Sequence, residues 1–137
     1  MNKKYQKIIK AVEASGKILA GYFGKDFKRY DKKVGLDFYT QADLKSEDNI
    51  IKAITREFPG YNIYGEEKGL IDKKADYTFV IDPLDGTLNL YQDIPYFSAT
   101  LALLKKTKRF LPLPIIPSLS RLFGRLKARA LLKTAEG

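Results

Sequence analysis

The sequence predicts a layered α/β domain of the α+β kind, with two N-terminal helices against an antiparallel-rich sheet. Three observations carry that reading. Apolar residues recur at helical spacing over the opening stretch and again between Thr40 and Phe58. Short runs with the composition of strands follow at 61–64, 77–81 and roughly 97–104. Turn-forming pairs, Pro59-Gly60, Asp82-Pro83 and Asp85-Gly86, punctuate these runs.

Tyr5, Ile8, Ile9, Val12, Leu19, Tyr22 and Phe23 mark one face of the opening helix, and Gly24 is a natural stop. Residues from about Phe27 to Phe38 read as a charged hairpin or extended region, with Gly35 near a turn. The second helix begins near Thr40, a good N-cap, and ends before Pro59-Gly60. Its apolar face uses Ile50, Ile51, Ile54 and Phe58. Asp43 falls in its first turn, where the helix dipole favours a negative charge. The stretch from Lys68 to Asp76 reads as a polar loop.

Composition narrows the chemistry. A chain of 137 residues with 45% hydrophobic content suits one globular domain with a sizeable core. There is no Cys, hence no disulfide framework, thiol nucleophile or thiolate metal site. There is no His, which removes the usual zinc ligand and the usual general base. Catalysis would have to use carboxylates, hydroxyls, lysines, backbone amides and a metal. The N-terminus lacks a signal-peptide core and no apolar run is long enough to span a bilayer, so a cytoplasmic location is expected.

The most informative run is Asp82-Pro83-Leu84-Asp85-Gly86-Thr87, directly after the strand-like Tyr77-Thr78-Phe79-Val80-Ile81. Two carboxylates three residues apart are delivered on a stiff turn: Pro83 fixes one φ, and Gly86 lets the backbone approach a ligand closely. Such oxygen-rich sites favour magnesium, calcium or manganese bridging to a phosphate. Asp-Pro and Asp-Gly are also ordinary turn formers, so the run alone is ambiguous. Two further acid clusters lie upstream. Gly65-Glu66-Glu67 follows Tyr61-Asn62-Ile63-Tyr64, and Asp37-Phe38-Tyr39-Thr40-Gln41-Ala42-Asp43 precedes the second helix. Adjacent glutamates are commonly solvated surface, and Thr-x-x-Asp is commonly a capping box. All three clusters sit where a regular element meets a loop.

In that order the three blocks resemble those of the inositol monophosphatase family, metal-dependent phosphomonoesterases related to fructose-1,6-bisphosphatase and the bisphosphate nucleotidases. The resemblance implies the N-terminal part of that sugar phosphatase fold, truncated, and Mg2+-dependent hydrolysis of a small phosphorylated metabolite by metal-activated water. It implies Glu66, Asp82, Asp85 and the backbone carbonyl of Leu84 as metal ligands, and an Asp43–Thr87 pair that orients and deprotonates the water. The amides of Gly86 and Thr87 would hold the phosphate. Glu67 joins only if it too can point into the site. Lys32 or Lys33 either faces the phosphate or is plain surface, and Asp37 either backs the site or merely ends the hairpin. The resemblance does not identify the ester; inositol phosphate and other sugar or nucleotide phosphates remain open.

The resemblance runs from about Tyr5 to about Leu104, which divides the chain into a family-like region, 1–104, and a basic tail, 105–137. The tail holds nine Lys or Arg against one acid, net +8 of the chain's +9, and three of its six prolines. Within it Leu119, Leu122, Phe123 and Leu126 recur at helical spacing. Family members continue instead into a Trp-Asp block that supplies a further metal-ligand aspartate, and this chain has no Trp. The expectation is a tail foreign to the family, as a frameshift or interrupted gene would give, and impaired activity unless a second polypeptide carries the missing half. A homodimer is left open. The alternatives are an inactive remnant or a non-enzymatic module whose basic tail contacts RNA or an anionic membrane; tail binding has the weakest support, since chance translation also yields basic composition.

Overall fold

The structure, a computed structural model, describes residues 2–33 and 37–105. The elements in order are α1 (Lys3–Tyr22), β1 (Arg29–Asp31), β2 (Phe38–Thr40), α2 (Gln41–Glu57), β3 (Asn62–Gly65), β4 (Gly69–Ile71), β5 (Tyr77–Asp85), α3 (Thr87–Tyr91) and β6 (Ser98–Lys105).

Both expected helices form. The Asn2 side chain accepts the Lys4 N–H at 2.9 Å and caps α1, which ends shortly before Gly24 at φ +71°. Thr40 caps α2 in a full capping box with Asp43. The two helices meet along a polar seam of small side chains. Ser15 Oγ donates to the Ser46 carbonyl at 3.1 Å, and Asn49 Nδ2 donates to the Ala11 carbonyl at 2.7 Å and to Ser15 Oγ at 2.9 Å. Ser46 Oγ then donates to the Pro83 carbonyl at 2.6 Å, which ties the helix pair to β5.

The main sheet runs β4-β3-β5-β6, with β3 and β5 parallel and the other pairs antiparallel; β1 and β2 form a separate antiparallel hairpin. Phe79 and Ile81 of β5 pack against Ile8, Ile50 and Ile54 in the larger core cluster. Each fully buried side chain of this size contributes about 1.5–3 kcal/mol. A second cluster of Leu19, Ala42, Leu84, Leu90 and Ala99 anchors the segment that leads from β5 into α3.

Two features differ from the sequence reading. The stretch after Lys68 is not all loop: Gly69–Ile71 forms β4 against β3, with Gly65 opposite Gly69 and Glu66, Glu67 and Lys68 as a three-residue turn. Gly69 at φ +76° supplies the left-handed residue such turns need. The Asp82–Asp85 segment is likewise not a turn after the strand but the end of β5 itself. Its pairing with β6 shifts register between Asp82 and Asp85, so Pro83, which has no N–H, sits at an irregularity.

Among the described residues β6 is an edge strand of the main sheet. Gly35 and the apolar stripe at 119–126 lie outside the described residues. Among those described, no helix is long and apolar enough to cross a membrane.

Candidate functional site

Strand register brings the first two acids together. Gly65 of β3 stands opposite Ile81 of β5 in the parallel pair, and the Glu66 N–H donates to the Ile81 carbonyl at 3.2 Å. One residue further along each chain are Glu66 and Asp82. Burial, then the hydrogen bond and charge of Glu66, then the charge of Asp85, push the Asp82 carboxyl up to about 7. Asp82 Oδ1 is buried and finds no hydrogen-bond partner among the described residues. Asp85, exposed at the end of β5, adds a third negative charge within Coulombic reach.

A second pair forms between α2 and the start of α3. Thr87 Oγ1 lies 3.1 Å from Asp43 Oδ1 and 3.2 Å from the Leu84 carbonyl oxygen. One hydroxyl proton serves these two acceptors in turn; when Asp43 takes it, the Leu84 oxygen is released for another electrophile. The other Asp43 oxygen accepts from the Thr40 N–H at 2.7 Å and the Thr40 hydroxyl at 2.6 Å. Asp43 is buried, and burial raises its pKa against the opposing pull of the Thr40 and Thr87 hydrogen bonds. Thr87 is partly exposed, whereas Asp43 is buried.

Gly86 links the two pairs. Its φ is +86°, and a Cβ there would stand 2.7 Å from the Tyr96 carbonyl oxygen, so glycine is required twice over. It is the N-cap of α3, and no side chain caps that end. Asn89 Nδ2 donates to the same Tyr96 oxygen at 2.8 Å and holds the loop into β6.

Lys32 reaches into this acidic region. Its Nζ lies 3.4 Å from Asp37, 3.6 Å from Glu66 and 3.4 Å from Glu67. Burial lowers its pKa, but the charges of Glu67, Asp37 and Glu66 outweigh that and raise it. Glu67 is therefore gathered with Glu66, and burial raises its pKa while Lys32 lowers it. Asp37 joins through Lys32, whereas Lys33 is exposed and outside this network.

Glu47 is the residue that sequence reasoning missed. It is fully buried on α2, and its Oε1 accepts the Glu67 N–H at 3.2 Å. The signal was present: Glu47 lies one turn after Asp43, in one stripe with Ile50 and Ile54, and an acid on an apolar stripe is buried.

The donor set is all oxygen, which suits a hard divalent cation. Among the described residues no group of three or more acids is placed so that it could hold a metal ion by itself. Mg2+ does not require one, since it keeps several waters and uses one or two carboxylates together with substrate phosphate. The orphaned Asp82 oxygen beside Glu66 is the position such a cation fits.

The inositol monophosphatase family model matches residues 1–127, a span that runs past Leu104 into the basic segment. The chain is 37% identical over 98 residues to an inositol-1-monophosphatase of Caulobacter vibrioides, covering 70% of this chain and 38% of that protein. It is 36% identical over 105 residues to the Nus factor SuhB of Pasteurella multocida, covering 75% and 39%. The solved IMPase of Thermotoga maritima superposes with a TM-score of 0.64 at 32% identity, over 72% of this chain and 38% of that one. The chain thus spans about two fifths of the length of these relatives.

Proposed function

The chain belongs to the inositol monophosphatase family, and from that premise we propose that it carries the cation- and phosphate-binding part of a Mg2+-dependent phosphomonoesterase acting on a small phosphorylated metabolite. The observation that supports this most is the 3.1 Å Thr87–Asp43 hydrogen bond, which joins residues 44 apart, with the same hydroxyl 3.2 Å from the carbonyl oxygen of Leu84 on the strand that carries Asp82.

Glu66, Asp82, Asp85 and the Leu84 carbonyl oxygen are the residues that would hold Mg2+. When bound, the ion supplies Lewis-acid polarisation of the phosphate and a lowered pKa for water. The chain's own part is positional. Thr87 Oγ1 accepts a proton from water as its own proton passes to Asp43, so Thr87 is a relay and not a covalent nucleophile. Asp43 is suited to receive that proton because burial already raises its pKa. No side chain caps the first turn of α3, so its amide N–H groups would be available to hold the phosphate oxygens. Lys32 balances the acids and limits repulsion of an anionic substrate. A second polypeptide contributing further acidic ligands would raise turnover.

The test is release of inorganic phosphate from inositol phosphate and from an aryl phosphate, with and without Mg2+. Mg2+-dependent release that Asp85→Asn abolishes is the expected result. Release indifferent to both Mg2+ and Asp85→Asn would overturn the reading.

A further inference from the structure

We infer that Glu47 is a positioning residue for the candidate site: its carboxylate clamps the Gly65-Glu66-Glu67 turn from behind and so fixes where Glu66 meets Asp82. This deepens the proposed function and rests on it.

Three observations converge. Glu47 is fully buried, and its Oε1 accepts the Glu67 N–H at 3.2 Å. The Lys68 backbone amide, next in the β3–β4 turn, also favours the ionised form of this carboxylate. A Cβ on Gly65 would stand 2.1 Å from Glu47 Oε1 and 2.8 Å from its Cδ. Gly65 is not in the left-handed region, unlike Gly24, Gly69 and Gly86. Its backbone would therefore tolerate alanine, and it is the Glu47 carboxylate that excludes a side chain there.

The arrangement is poorly explained by packing. Glu47 Oε2 is buried without a hydrogen-bond partner among the described residues. Lys68 Nζ, the nearby cation, pairs with Asp48. An apolar side chain of the same length would fill the space next to Ile50 without desolvating a carboxylate. What the acid supplies that an apolar side chain does not is an acceptor for the turn carrying Glu66. That turn has only three residues between its paired glycines, so displacing its amides displaces the Glu66 carboxylate with them.

The test uses the full chain and Mn2+ alone, with free Mn2+ followed by electron paramagnetic resonance. Glu47→Gln keeps an acceptor oxygen, and its Mn2+ affinity should stay within about threefold of wild type. Glu47→Met keeps the volume but removes the acceptor, and affinity should fall about 10-fold, the lower end of what losing a supporting hydrogen bond costs a metal site. Exchange of the Glu67 amide should also accelerate in Glu47→Met and not in Glu47→Gln. In a Glu66→Gln background the Glu47→Met effect on affinity should vanish, which a merely structural role would not produce. Gly65→Ala pushes the carboxylate off the turn and should reproduce Glu47→Met, so it decides the matter should the Met variant not fold. Wild-type binding with unchanged affinity in Glu47→Met or Gly65→Ala overturns the clamp alone. No Mn2+ binding by wild type overturns the proposed function and the clamp's role with it.

Discussion

Asp82→Asn should stabilise the cation-free protein near neutral pH while removing its response to Mg2+. In the folded chain the Asp82 carboxyl titrates at about 7, against 3.8 for an ordinary aspartate, because it is partly buried against Glu66 and near Asp85. Below pH 3.8 the folded and unfolded chains both hold the proton, and Asp82 contributes nothing. Between 3.8 and about 7 only the folded chain holds it, so stability falls as pH rises. Above about 7 both have released it and the penalty is complete. At about 1.4 kcal/mol per pH unit the ceiling is ~4 kcal/mol. Asp82 is only partly buried, and solvent screening brings this to about 2 kcal/mol. Asn keeps the shape without the charge and should recover that amount, roughly 5–10 °C in melting temperature. Asp43, Glu47 and Glu67 are raised by burial in the same direction, so the variant's pH slope is reduced and not abolished. Mg2+ should reverse the sign for wild type: at 100 times its dissociation constant a ligand adds about 2.7 kcal/mol. The assay is thermal melting from pH 4 to 8, with and without Mg2+. An Asn variant less stable than wild type at pH 8 without metal, or equally stabilised by Mg2+, would refute the reasoning.

Thr87→Val preserves shape but removes the relay to Asp43, and phosphate release should fall about 100-fold or more, with Mn2+ affinity changed much less. Gly86→Ala forces a Cβ to 2.7 Å from the Tyr96 backbone oxygen at a φ of +86°, so it should cost about 1–3 kcal/mol in denaturant melts and weaken phosphate binding. Ile54→Ala opens a cavity in the larger cluster and should destabilise the fold by about 2–5 kcal/mol, read as a lower urea midpoint.

The helices and most strands were legible because their signals are local. Thr40 followed by Asp43 reads as a cap, and Ile50, Ile51, Ile54 and Phe58 read as a helix face, before any partner is known. The strand-like composition of the run from Tyr77 to Ile81, which buries Phe79 and Ile81, was equally plain. β4 was hidden because three residues opening with a glycine carry no periodicity; pairing with β3 makes them a strand. The extent of β5 was hidden because Pro83 reads as a breaker, and only the register shift against β6 shows how the strand absorbs it. The site was legible as a set of acids but not as an arrangement. Parallel register sets Glu66 beside Asp82, and Lys32 draws in Asp37 and Glu67; both are non-local facts. Glu47 lay on a legible stripe, yet a glutamate within a polar helix is so commonly solvated that its type masked its position.

Paramagnetic broadening of backbone amide signals by Mn2+ asks most directly whether the three acid blocks form one cation site. Mn2+ takes the same oxygen ligands as Mg2+ and reports its own location without requiring turnover. At substoichiometric Mn2+, broadening should centre on Glu66, Asp82, Asp85, Gly86 and Thr87, be displaced by excess Mg2+, and be lost in Asp82→Asn. Broadening centred instead on scattered surface acids such as Asp48 and Asp72, or none at these five residues, would contradict a shared site.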